Sequence, residues 1–156
     1  MMDLKMLKEK AQECIKDSKA QLVATENLPP MLFGVTDKYE LIFYDIDLIT
    51  AEDITKFRKQ FKQLTAKYNA FILIADLLSY ESEKKDLDSE FIEEHPHTVS
   101  ALTCIIYTDR EAFERKYKYL SNKFNFVDSG WVYFTGDEDG TFSNPFFRGN
   151  SIEHHQ

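Results

Sequence analysis

Two aspartates close the hydrophobic run ELIFYDIDLIT, Glu40 to Thr50: Asp45 and Asp47, on either side of Ile46. Two carboxylates at the exit of a strand form a donor set suited to a hard, oxygen-seeking cation such as magnesium, and with it to phosphoryl transfer. The same pair reads equally well as the polar end of a sheet element, facing water and doing no chemistry. A second acidic group, Asp137 and Asp139 in WVYFTGDEDG, offers a further ligand if the chain brings it to Asp45. As a calcium loop, DEDGTFSNPFFR has Asp137 and Asp139 in the first and third places. Gly140 is misplaced, however, and the twelfth residue is Arg148 instead of glutamate, so a turn is expected. His95 and His97 flank Pro96 beside Glu93 and Glu94 without a third ligand at convincing spacing. Cys14 and Cys104 sit in apolar patterns with no activating neighbour, which reads as reduced core thiols. The five glycines are dispersed, so no loop is built to cradle a phosphate.

The stretch around Asp45 resembles the first motif of the haloacid dehalogenase-like phosphatases, a hydrophobic strand followed by Asp-x-Asp-x-Thr or Val. Ile49 stands where that motif has Thr or Val, and Thr50 follows one place late. The resemblance implies Asp45 as nucleophile and Asp47 as general acid and base. It also implies FILIADLLS, ending at Ser79, as a second motif, and Asp137 with Asp139 as metal ligands. Magnesium held by Asp45 and Asp137 would then neutralise charge between phosphate and nucleophile, assisted by a lysine such as Lys116, Lys118 or Lys123. Against this, only 19 residues follow Asp137, with no helix to complete a doubly wound layer, and the strand leading to Asp45 belongs to a hairpin.

The elements that would position these residues follow from periodicity. Asp3 can cap a first helix running to about Gln21, because Leu4, Leu7, Ala11, Cys14, Ile15 and Leu22 recur at helical spacing. ENLPP ends it, since proline lacks a donor and restricts the residue before it. Met31 to Val35 and Glu40 to Ile46 read as a hairpin joined through TDKY. Thr50 can cap a second helix with the stripe Ile54, Phe57, Phe61, Leu64 and Tyr68, and Glu52 and Asp53 suit its first turn. AFILIA is apolar without alternation, which predicts a strand covered on both faces. Glu81 to His97 carries seven acids against two lysines, so residues 81–98 are expected to be an exposed acidic loop. SALTCIIYT is a further strand. Thr108 with Glu111 makes a capping box for a third helix with the stripe Phe113, Tyr117, Leu120 and Phe124. FNFVDSGWVYFTGDEDGTFSNPFF, divided by turn-forming Asp-Ser-Gly and Asp-Glu-Asp-Gly, reads as antiparallel sheet.

Composition bounds the answer. The 156 residues contain no linker-like stretch and fit one domain, 1–156, with a core large enough to need no staple. Aromatic residues make up 14% of the chain, too many for a disordered one. A formal charge of -8 disfavours nucleic-acid binding, although Arg58, Lys59 and Lys62 on one helix, with Arg115, Lys116, Lys118 and Lys123, form basic faces that suit an acidic partner or simply water. The N-terminus lacks an uninterrupted apolar core, and no run approaches the ~20 apolar residues of a membrane span, so a cytoplasmic location is the default expectation. Core packing is the default for most of Trp131, Tyr133, Phe142, Phe146 and Phe147, and some of them are candidates for an apolar surface that meets a protein partner or a second copy. From Leu22 to Tyr107 the order of helix, NLPPM, hairpin, Lys-rich helix, strand, acidic loop and strand resembles a group of small bacterial and phage proteins of uncharacterised function. That resemblance implies a fold and brings no catalytic residues.

The expectation is therefore an α+β domain of two or three layers, with a mixed, mostly antiparallel sheet and about three helices. The leading function is a cofactor-free accessory protein acting through protein contacts. The alternative is a magnesium-dependent phosphatase using Asp45 and Asp47.

Overall fold

The computed structural model describes residues 2–80, 98–120, 123–134 and 140–146. The expected acidic loop lies outside them apart from Thr98. So do His95, His97, Asp137, Asp139 and Phe147.

Among the described residues, two helices and seven strands form three layers. Helix α1 spans Leu4–Thr25, strands β1 and β2 span Met31–Val35 and Leu41–Asp45, and helix α2 spans Ala51–Leu64. There follow β3 (Ala70–Tyr80), β4 (Thr98–Thr108), β5 (Ala112–Leu120), β6 (Lys123–Asp128) and β7 (Val132–Phe134). The sheet order is β2-β1-β3-β4-β5-β6, with β7 also on β5, and every pairing among the described residues is antiparallel. No helix among them is long and apolar enough to cross a membrane.

The unbroken apolar run of β3 reflects two cores. Ala70, Ile72 and Ile74 join Leu7, Ala11, Ile15 and Leu22 of α1 on one face. Phe71 and Leu73 point the other way and meet Phe57 and Phe61 of α2. Strand β4 divides likewise, Leu102, Cys104 and Ile106 toward α1 and Ile105 and Tyr107 toward α2. A side chain as fully buried as Phe71 contributes roughly 1.5–3 kcal/mol. Phe61 stacks on Phe57 at 5.1 Å and meets Phe71 and Tyr107 edge-on at 4.9 and 5.0 Å, so α2 is fastened by rings.

The caps expected for the first two helices are present. Asp3 accepts the Lys5 N–H at 3.0 Å, and Thr50 with Asp53 closes a reciprocal capping box. Helix α1 runs one turn beyond Gln21 because Leu22 is buried, and it stops at Glu26, whose left-handed backbone returns its N–H to the Leu22 carbonyl.

The third helix is corrected: its residues form β5 and β6. Thr108 does cap, but it caps a turn. Its Oγ accepts the N–H groups of Arg110 and Glu111, and its own N–H donates to the Glu111 carbonyl, closing the three-residue connection between β4 and β5. Tyr117 and Tyr119 then enter the α1 core at a period of two. The long apolar strand β4 needs a partner along its free side, and that pairing overrides local helical spacing.

Strands β6 and β7 follow one line along β5, broken at Ser129 and Gly130. There the Ser129 N–H donates to the Lys116 carbonyl and the Ser129 hydroxyl accepts the Lys116 N–H, while Gly130 adopts φ 74°. The extra residue reverses the alternation, so that Phe124 and Phe126 before it and Trp131 after it all pack toward α1.

Candidate functional site

Strand β2 is one edge of the sheet, and its open side follows from the register of the hairpin. The Thr36 N–H donates to the Glu40 carbonyl at 2.9 Å, so Thr36 and Glu40 form a hydrogen-bonded pair. Alternation then gives Gly34 with Ile42 and Leu32 with Tyr44 the same bonding, and turns the N–H and C=O groups of Leu41, Phe43 and Asp45 away from β1. Among the described residues no strand pairs with that side. Ile42 and Phe43 are 40% and 53% exposed, one toward each face, and Ile49 in the following connection is 88% exposed.

The two edges differ. On the β6–β7 side the line is broken by the Ser129–Gly130 bulge and by a register shift between Lys118 and Leu120. Such irregularities keep a second strand from pairing. The β2 sequence, Leu-Ile-Phe-Tyr-Asp, has no proline, lysine or bulge.

Two recesses flank β2 on the α2 side. At its start, Gly34 lets the Tyr68 ring lie against the backbone: a Cβ at Gly34 would come within 2.6 Å of that ring. The Tyr68 hydroxyl is 2.7 Å from that of Tyr44, and burial together with this bond pushes its pKa up to about 12, so it stays a neutral phenol. Beside it a recess of about 390 Å³ is walled by Val35, Ile42 and Tyr68, with Asp37 and Lys67 also lining it.

At the end of β2 a smaller recess of about 190 Å³ is lined by Asp45, Asp47, Asp53, Lys56 and Gln60. The structure thus brings the two sequence-predicted aspartates together, with Asp53 as a neighbour not foreseen there. The Asp53 carboxylate is already engaged, accepting the Thr50 N–H at 3.1 Å. Among the described residues no group of three or more His, Cys, Asp or Glu side chains is placed to hold a metal ion. The other described residues implied by the phosphatase resemblance lie on strand positions away from this recess. Lys116 and Lys118 lie on β5, four strand spacings or roughly 19 Å from β2, and Lys123 lies on β6 beyond it. Ser79 is five residues along β3 past Ile74, the position in line with Met31 and Asp45, which is roughly 16 Å away. Asp137 and Asp139 are outside the described residues. The sheet is antiparallel, whereas a doubly wound layer is mostly parallel.

Two polar clusters were not foreseen. Asp76, which interrupts the apolar run of β3, accepts the Tyr119 hydroxyl at 2.7 Å on the α1 side of the sheet. Burial raises its pKa and the Tyr119 bond opposes that rise. The signal was visible as an acid inside an otherwise buried strand, which needs a partner. Arg115 grips Asp128 through two bonds of 2.9 and 2.6 Å and also donates to Gln12 of α1 at 3.0 Å. The guanidinium holds the Asp128 carboxyl down to about 2. Lys19 lies 3.8 Å from the Tyr117 ring centre, and Lys8 lies 5.1 Å from that of Phe113, so cations fasten this side of α1 to the sheet.

The remaining candidates separate. Trp131 packs on the α1 side beneath Lys8 and Arg115, and Tyr133, 57% exposed, meets Phe113 at the β7 edge. Phe146 lies on the opposite face, 5.5 Å from Phe71, with Phe142 in the same core. They form no single surface, because the sheet runs between them. The basic face of α2 is partly structural, since Lys62 donates to the Pro145 carbonyl at 2.8 Å and Arg58 reaches Ser143 at 3.5 Å. Cys14 and Cys104 are buried in the α1 core, where burial raises both thiol pKa values, that of Cys14 to about 11. No protein-family model, curated protein or solved structure matches the chain.

Proposed function

We propose that the protein is a non-enzymatic interaction module that takes an extended segment of a partner protein as an added strand on β2. The observation that carries this reading is the edge left unpaired among the described residues: outward backbone groups at Leu41, Phe43 and Asp45, with Ile42 and Phe43 exposed beside them. Strand addition draws affinity from main-chain hydrogen bonds and specificity from alternate side chains, and β2 offers both. The magnesium-phosphatase alternative keeps one supporting observation, the shared recess of Asp45 and Asp47. It ranks second because the serine and lysines that the resemblance implies lie far from that recess.

The test is selection of a displayed random dodecapeptide library on the purified protein, followed by binding of single enriched peptides. Enriched peptides should shift the amide resonances of residues 41–45. They should also bind at least tenfold more weakly to Phe43→Lys, which places a guarding charge on the edge. Phe43→Pro removes an outward N–H together with the ring, leaves the hydrogen bonds to β1 in place, and should weaken them similarly, with each variant's fold checked by circular dichroism. Failure to enrich any peptide, or binding indifferent to both variants, would sink the reading. Saturable shifts confined to Asp45 and Asp47 on adding millimolar magnesium alone would instead favour the phosphatase.

A further inference from the structure

We infer that the segment taken by β2 runs antiparallel to it and carries a lysine or arginine four residues before an apolar side chain. This rests on the strand-addition reading and adds the chemistry of the partner.

The direction follows from the sheet, in which β2 pairs antiparallel with β1 and antiparallel addition forms the more stable ladder. Positions on the added strand opposite Ile42 and Tyr44 have their side chains on the α2 face, as Ile42 and Tyr44 do. The residue opposite Ile42 therefore stands beside the recess of about 390 Å³, whose walls are Val35, Ile42 and Tyr68. An aliphatic or aromatic side chain placed there covers the exposed Ile42. The Tyr68 ring can stand at this wall because Gly34 has no side chain in its way.

Four residues along β2 the surroundings change. Ile46 is buried toward α2, and the recess about it is lined by Asp45 and Asp47 against Lys56. Asp53 adds negative charge there while holding the Thr50 N–H. Four residues of strand span roughly 13 Å, and period-two alternation returns the side chain to the same face. Because the added strand is antiparallel, its residue near Ile46 comes four positions before its residue opposite Ile42. A cation at that earlier position meets the acidic end of the edge, and a carboxylate there is repelled.

Charge also argues against a second copy of this chain as the occupant. Pairing β2 with itself about Phe43 places Glu40 of each copy opposite Ile46 of the other, between Asp45 and Asp47. Like charges then meet at both ends of the ladder in a protein of formal charge -8.

The sequences recovered from the dodecapeptide selection read the inference directly. Among peptides that weaken on Phe43→Lys, Lys or Arg should precede an apolar residue by four positions. The Asp45→Asn/Asp47→Asn double variant should reduce their binding about tenfold, and the reduction should shrink in high salt. Peptides that depend on Phe43 but lack this spacing, have it reversed, or ignore the double variant would overturn the inference while leaving strand addition standing. Peptides that ignore Phe43 would overturn both. Sedimentation showing a dimer of the wild type that Phe43→Lys converts to monomer would assign the edge to a second copy and overturn the partner proposed here.

Discussion

Replacing Gly34 by alanine would press a methyl group against the Tyr68 ring. A Cβ at this position lies 2.6, 2.7 and 2.7 Å from three ring carbons. Carbon atoms pack at about 3.5–4.0 Å, so roughly 1 Å of overlap must be relieved. The ring has little freedom to move aside, because its hydroxyl is bonded to Tyr44 and its edge rests on Phe71 at 5.8 Å. Relief must come from displacing β1 or from breaking the tyrosine pair. Overpacking of this kind costs about 1–3 kcal/mol, against which alanine in a strand returns roughly 0.5–1 kcal/mol over glycine. Gly34→Ala should therefore lose about 1–2 kcal/mol in urea unfolding with an unchanged slope, or several degrees in melting temperature. In a double-mutant cycle with Tyr68→Leu, most of that penalty should disappear as coupling between the two sites. A Gly34→Ala protein as stable as wild type, or strictly additive effects in the cycle, would refute the claim that the glycine is required by the ring.

Two ionic predictions follow from the α1 side of the sheet. The folded-state pKa of Asp128 lies near 2, below its unfolded value, so its pairing with Arg115 stabilises the fold above about pH 4 and is lost as pH falls toward 2. That depression corresponds to at most roughly 2.5 kcal/mol, and with the Asp128 side chain 40% exposed, screening reduces it to about 1 kcal/mol. Asp128→Asn should cost that amount in urea unfolding at pH 7 and converge with wild type near pH 2; a difference that persisted there would contradict the pairing. Asp76 has the opposite sign: its folded-state pKa is raised, so its burial counts against stability as pH climbs above about 4. Asp76→Asn keeps an acceptor for Tyr119 and should be more stable than wild type at pH 7, with the advantage vanishing toward pH 3; a less stable variant at pH 7 would show that the Tyr119 bond outweighs burial.

The sequence by itself determined what local chemistry and periodicity can carry. Both helix starts were legible because Asp3 and Thr50 satisfy free amides within their own first turns. The hairpin was legible from its turn, and the doubly covered strand from an apolar run that leaves no wet face. The aspartate pair was legible as a feature, and it does line one recess. Only the tertiary structure decided the rest. The signature at Thr108 and Glu111 closes a turn as well as it caps a helix, and the open side of β4 made the choice. Tyr119 became the partner of Asp76, and Gln12 and Asp128 the partners of Arg115, across separations that no local pattern encodes. The candidate edge itself was invisible beforehand. A strand carries the same residues at the centre of a sheet as at its margin, and only the order of pairing shows that β2 has one neighbour among the described residues, with its outward amides on the side away from it.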